Sequence, residues 1–387
     1  MALSAGTRRT VACLLVGLGA LLVVMALLIP TYTVGKLSKT PLDLEITTVA
    51  VNQPGQDSLV LDSKSLTAPE GAAKVDTNVP IVSQRFLTVE DPSDADEMTI
   101  QAGQTLRRID KQGDTGLLTA TVDRVTIDRV DGMPVDKEPN GSIAVTTNKE
   151  GESIADPVQH TGLQYRFPIG TEKKTYPYFD LNARATFDIN FVEETEINSM
   201  KVYHFQQTIP ATSMWDVVQT PTNKLTLPAA KWGMEGDAPV TMTRYYTNVR
   251  DVWVEPDTGT VIKGGEQIHL YYAQNANKPD VTALKSNLIF DENTIESQIS
   301  VAEENIDKLS LFGRTMPIIF GILGVLAIIG GVVLGLTGGS TSAPAGRSNA
   351  PYGRPSGPAA TGPAPTTGRP RGGDDAPTEQ IDIRKNL

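Results

Sequence analysis

Residues Arg244 to Tyr272 read RYYTNVRDVWVEPDTGTVIKGGEQIHLYY, two runs of aromatic and β-branched residues on either side of Pro256-Asp-Thr-Gly259. Such side chains suit a pleated, half-buried surface. Between the runs proline presets φ and glycine tolerates positive φ, so the four residues form a turn. A long β-hairpin is predicted. Gly264 and Gly265 in its second arm mark a bulge or a place of close backbone approach.

Outward from the hairpin, β character recurs at Ile46–Val51, Arg85–Val89, Gly116–Arg129, Ala185–Val192, Lys201–Ile209 and Val281–Phe290. In Gly116–Arg129, Val125 and Ile127 alternate with Arg124, Thr126 and Asp128, giving one apolar and one wet face over part of its length. That pattern suits antiparallel pairing. From Asp291 the period changes: Ile295, Ile299, Ala302, Ile306 and Leu309 recur at helical spacing, with Asn293 and Glu296 as the expected cap.

Two uncharged apolar stretches flank this β-rich region, Val11–Ile29 and Met316–Leu336. Each reaches the length of about 20 residues needed to cross a bilayer as helix. Arg8 and Arg9 before the first stretch also fit a signal peptide, but the run is too long for a signal h-region and lacks a small-x-small cleavage site. The expected arrangement is a mainly β (α+β) protein, with a large antiparallel extracytoplasmic domain, a helical stalk and a transmembrane helix at each end. Its parts are a short cytoplasmic start (1–10), helix 1 (11–29), the outer domain (30–290), the stalk (291–315), helix 2 (316–336) and a tail (337–387). The tail's Gly, Pro, Ser, Thr and Ala content cannot bury a core, so disorder is expected there.

Arg8 and Arg9 at one end, and the six Arg and Lys of the tail at the other, place both termini in the cytoplasm, while Lys36 and Lys39 dilute that bias. The expected location is the cytoplasmic membrane, crossed twice, with the main domain facing the envelope. The whole chain carries −11; removing two positive charges at the start and a net two in the tail leaves −15 for residues 31–315. So acidic a surface repels nucleic acid. The one cysteine, Cys13, lies in the first apolar stretch, so the outer domain depends on its core without disulfides.

No phosphate loop, H-E-x-x-H, G-x-S-x-G or paired-cysteine motif occurs. His160, His204 and His269 lack ligand spacing. Glu90–Glu97 (EDPSDADE) lacks the glycine and terminal glutamate placement of an EF-hand and reads as a solvated loop. Asn140-Gly-Ser142 matches a glycosylation sequon and equally a turn pair, the favoured reading. Gly331 and Gly335 permit close approach of another helix, either the first span or a second chain. Thr366, Thr367 and Thr378 in the tail are open to phosphorylation. Trp215, Trp232, Trp253, Tyr176 and Tyr178 either line a groove or belong to the core. No catalytic, metal or cofactor residue is assigned, no cofactor is expected, the binding residues are unknown, and an enzyme ranks last.

Phe167–Asp180 (FPIGTEKKTYPYFD), Arg244–Gly265 and Lys308-Leu-Ser-Leu311 resemble the actinobacterial Porin PorA family. The likeness runs from the first apolar stretch to the second and implies an envelope protein, some relatives being described as cell-wall channels. A β-barrel porin crosses the membrane with alternating strands of about 10 residues and carries no long apolar helices. Three readings therefore stay open: passage of envelope solutes, with oligomerised helices lining any path; a lipid- or ligand-binding module with an apolar cavity; and a scaffold with a cytoplasmic contact tail. The expected partners are the membrane, a lipid or envelope solute, and further copies of the chain.

Overall fold

A computed structural model describes residues 5–33, 38–53, 55–147 and 153–337. The expectations for the tail, including Thr366, Thr367 and Thr378, lie outside these residues. Fifteen strands are described: β1 Glu45–Asn52, β2 Leu59–Leu61, β3 Val75–Thr77, β4 Ile81–Glu90, β5 Glu97–Arg108, β6 Leu117–Asp128, β7 Gly141–Thr147, β8 Ser153–Val158, β9 Tyr176–Asp180, β10 Ala185–Ile197, β11 Met200–Ser213, β12 Lys224–Pro228, β13 Pro239–Glu255, β14 Thr260–Ala273 and β15 Val281–Phe290. They form one antiparallel sheet in the order β8-β7-β6-β5-β4-β1-β15-β14-β13-β11-β10-β9, with β12 beside β13 and β2 beside β15.

Two meanders, β4 to β8 and β9 to β15, are thus joined through β1. The sheet curls until its ends meet. Ile143 of β7 and Val158 of β8 pack on Phe179 of β9. Arg184 bonds Asp156 at 2.9 Å, and Leu163 bridges Tyr178 in parallel.

The inner faces follow strand parity. Tyr246, Ile209, Ile81, Leu106 and Leu288 form one buried cluster, and Met98, Ile100, Val125, Ile127 and Leu87 a second. The expected hairpin is β13 and β14, turning at residues 256–259. Glu255 is buried there, and its carboxylate accepts from Asp257 N (2.9 Å), Thr258 N (2.8 Å) and Thr258 Oγ1 (2.6 Å). Gly259 has φ +72°, and a Cβ on it would lie 2.2 Å from Phe167 O, so the turn seats directly on the Phe167-Pro168 backbone. Phe167 N donates to Gly259 O (3.1 Å) and Thr171 N to Pro256 O (2.7 Å). The two passages most characteristic of the family resemblance are thereby packed on one another. Phe167 also lies 4.8 Å from Phe205, an aromatic contact worth about 0.5–1.5 kcal/mol beyond area burial.

Three long helices complete the fold: α1 Ala5–Leu28, α2 Glu292–Ser310 and α3 Met316–Leu336, with π-helical turns at Ile29–Thr33 and Leu311–Thr315. The cap of α2 is Asp291, two residues before the expected Asn293; its carboxylate accepts from Thr294 N (2.9 Å), because β15 runs on to Phe290 and α2 starts at once. Ile295, Ile299 and Ala302 pack on Met200, Val202 and Ile262, so the apolar stripe covers the ends of β11 and β14. β1 and β15 pair only over Ala50–Asn52, and where β15 ends α2 takes its place. Asp291 N donates to Val49 O (3.0 Å), and Val49 N donates to Thr294 Oγ1 (3.0 Å).

α1 and α3 pack antiparallel. A Cβ on Gly19 would meet Gly324 O at 2.6 Å, and one on Gly331 would meet Ala12 O at 2.9 Å. The G-x-x-x-G face therefore joins the two helices of one chain. Their remaining faces are apolar and exposed, among them Leu14, Leu18, Leu27, Ile318, Ile322 and Leu326. Both are long and apolar enough to span a bilayer. The described strands point Glu45, Thr47, Gln84, Arg107, Asp188, Asn190, Gln206 and Thr208 into solvent. Apolar residues are exposed on the same strands, among them Phe86, Val122, Val145, Ile154 and Val192.

Candidate functional site

Charge on the buried face of a strand is costly unless it is paired, so the charged residues of inward parity locate the site. On β4, Arg85 follows Ile81 and Ser83 and precedes Leu87. On β13 and β14, Arg250 and Glu266 lie among Tyr246, Val252 and Ile268. These side chains surround a cavity of about 100 Å³ between β1, β4, β13–β15, the 164–165 segment and Gln298 of α2. Its other walls include Ile46, Leu87, Val252, Leu288 and Phe290. At about 30 Å³ per water, this is room for a few waters or one small organic molecule.

Arg250 is the hub of the polar wall. It donates to Asp180 Oδ2 (2.9 Å), Glu266 Oε1 (2.8 Å) and Gln207 Oε1 (2.5 Å), and its guanidinium lies over Tyr178. Asp180 is fully buried and also accepts from the Tyr246 hydroxyl (3.1 Å). Burial alone would raise the Glu266 pKa; Arg250 and Arg85 overcome it and hold the carboxyl below its ordinary value. Burial opposes the charge on Arg250 as well, but Glu266 and Asp180 keep its pKa raised.

Arg85 is bound differently. Nε and Nη2 both donate to the neutral Gln104 Oε1 (3.3 and 3.1 Å), Gln104 Nε2 donates to Ser83 Oγ (3.2 Å), and the guanidinium lies over Tyr165. No carboxylate lies within ion-pair distance of Arg85 among the described residues. Behind Tyr165 sits Asp123, fully buried, accepting from the Tyr165 hydroxyl and paired with His160 Nε2 (2.9 Å). Burial and Asp123 push the Tyr165 hydroxyl well above its ordinary pKa. Outside this wall, the Arg166 guanidinium donates to Thr40 and to Thr258 O (2.8 Å); burial pushes it down to about 10.

A family model for Porin PorA matches residues 11–333. The chain belongs to this family. Porin PorA of Corynebacterium amycolatum is 32% identical over 379 residues, covering 83% of this chain and 97% of the relative. Porin PorA of Corynebacterium resistens (strain DSM 45100 / JCM 12819 / GTC 2026 / SICGH 158) is 31% identical over 407 residues, covering 85% and 97%. With the two apolar helices, the Porin PorA match identifies a two-span membrane protein carrying a large antiparallel β domain.

Of the aromatics singled out in the sequence, Tyr178 alone lines this cavity. Tyr176 joins the Phe167 cluster, and Trp232 is buried with Tyr272. Trp232 also edges a separate surface hollow of about 370 Å³ near Val75 and Val281. Trp253 stacks on His204 and Trp215 lies under Lys224. The three histidines are held apart: His160 on Asp123, His204 on Asp251 (2.8 Å), His269 on Thr282 (3.1 Å). In the Glu90–Glu97 loop, Asp96 pairs with Lys39 and Glu97 with Lys137. Asn140 is buried and donates to Val135 O (3.1 Å) and His160 O (2.8 Å), so it braces the start of β7 instead of forming a turn tip or carrying a glycan.

Arg85, Gln104 and Gln164 escaped the sequence reading. The available signal was a charge at inward parity in a strand, Arg85 between Ser83 and Leu87.

Proposed function

We propose that this chain acts in the passage of small molecules through the cell envelope, with its β domain as the station that holds the molecule. The observation that carries the reading is the cavity, whose polar wall leaves Arg85 without a carboxylate beside an apolar wall of Ile46, Leu87, Leu288 and Phe290. The domain (30–290) stands outside the cytoplasmic membrane, α1 and α3 anchor it with both termini inside, and residues 291–315 form the stalk. Arg8 and Arg9 and the basic tail support that orientation. Native mass spectrometry of the gently extracted full chain tests the holding role: a small molecule retained by the wild type and lost from Ala50→Phe is expected, and a consistently empty protein overturns it.

The name of the relatives favours a second reading, a channel. α1 and α3 leave no lumen between them, so a path lined by these helices requires several copies arranged around it. Single-channel recordings on purified protein decide this: conductance steps that scale with assembly support it, and silence at every concentration removes it.

A further inference from the structure

Charge, donors and acceptors in the cavity wall carry an inference about the molecule held there. In the wall and just behind it, Arg85 and Arg250 stand against Glu266 and Asp180, so this set is electrically balanced, and the carboxylate of Asp251, which also lines the cavity, is met by His204 and Gln206. Arg250 is bonded to Glu266 and Asp180, and Asp123 farther back is met by His160 and Tyr165. An entering carboxylate would tip this balanced set to net negative, because Arg85, although no carboxylate is bonded to it, already helps Arg250 hold Glu266 ionised. An entering ammonium would find these carboxylates already engaged. Burying an unmatched charge is far costlier than burying a neutral polar group.

Among the hydrogen-bonding positions that the wall leaves unused are two on Arg85 and Gln164. Among the described residues Nη1 of Arg85 makes no hydrogen bond, while Nε and Nη2 fix the guanidinium on Gln104. Gln164 is 7% exposed and lines the cavity; its Nε2 donates to the Tyr165 hydroxyl (3.2 Å), and its Oε1 is buried without a partner. Arg85 and Gln164 both line the cavity, so an unused donor and an unused acceptor belong to its wall. Buried polar atoms are nearly always paired, so an orphan lining a cavity points to a ligand or water. Glycine keeps the opposite side open: a Cβ on Gly264 would stand 3.1 Å from the Phe290 ring.

We infer that the cavity binds an uncharged molecule of about five to seven non-hydrogen atoms, with an acceptor for Arg85 and a donor for Gln164 at one end and an apolar remainder. Short primary amides and alcohols have this pattern. The inference rests on the holding role proposed above and names its ligand class.

The test uses the full wild-type chain in lipid nanodiscs, with empty nanodiscs subtracted, and saturation-transfer NMR titrations of butyramide, butanol, butyrate and butylamine at pH 7. Butyramide and butanol are expected to saturate at concentrations at least about tenfold lower than the two ions. Gln164→Leu and Arg85→Met, checked for unchanged thermal midpoints, each weaken butyramide at least about fivefold. Butyrate or butylamine binding as well as butyramide overturns the inference. So does an absence of saturable binding by all four in the wild type, which needs no variant to fold. If none of the four binds but native mass spectrometry finds a retained molecule, the ligand class falls and the holding role stands; if the protein is also empty, both fall.

Discussion

Removing Arg250 tests whether the β body is held by its interior ion cluster. Arg250→Met keeps an apolar stem of similar length and takes away the donors serving Asp180, Glu266 and Gln207. Two carboxylates are then buried without their cation. Removing one partner from a buried pair costs about 3–5 kcal/mol. For a domain of this size each kcal/mol moves the thermal midpoint by about 2–4 °C, so a drop of about 6–20 °C is expected at pH 7. The pH dependence gives a second readout. In the wild type the Glu266 pKa lies below its unfolded value of 4.5, so its stabilisation is present above that value and lost as pH falls through the lowered one. Without Arg250, burial prevails and the neutral carboxyl is favoured, so the variant gains relative stability on acidification and the gap from wild type narrows toward pH 5. Scanning fluorimetry in detergent micelles reads both. A shift under about 2 °C at pH 7, or a gap unchanged at pH 5, would refute the reasoning.

Gly259→Val should cost about 2–4 kcal/mol, combining positive φ with the clash on Phe167 O, and should raise protease cleavage near residues 166–175. Lys231→Met removes a buried ammonium that donates to Ala68 O (2.5 Å), Gly71 O (2.9 Å) and Glu70 O (3.2 Å); a loss of about 1.5–3 kcal/mol and faster hydrogen exchange over 65–73 are expected. Asp291→Ala removes the α2 cap at a cost of about 0.5–2 kcal/mol and should speed exchange at the Thr294 amide, leaving the Tyr246 region unaffected.

Where one side of an element is buried and the other wet, its fold was legible from sequence. The Pro256–Gly259 turn, the Val125/Ile127 alternation and the Ile295/Ile299/Ala302 stripe each carry a periodicity that packing enforces. Strand β5 was missed because Gln101, Gly103, Gln104 and Thr105 dilute its pattern, although Met98, Ile100 and Ala102 face the core. Of the bulge or close approach expected at Gly264-Gly265, the bulge falls at Ile262, which slips out of register to reach α2, while Gly264 lines the cavity with a Cβ position 3.1 Å from the Phe290 ring. The site was harder to read because it is assembled from distant segments: Arg85, Gln164, Arg250 and Glu266 meet only after β1 joins the two meanders. Local sequence carries no trace of that closure.

Everything proposed for the β domain depends on α1 and α3 lying side by side in one bilayer. A Cβ on Gly335 would stand 3.7 Å from Ala12 Cβ, within the span of about 3.5–4.5 Å that a disulfide bridges. With Cys13→Ser removing the native thiol, Ala12→Cys and Gly335→Cys oxidised by copper-phenanthroline in native membranes should give a cross-linked monomer of altered mobility on non-reducing gels. Thiols that stay free, or links formed solely between chains, would contradict the account.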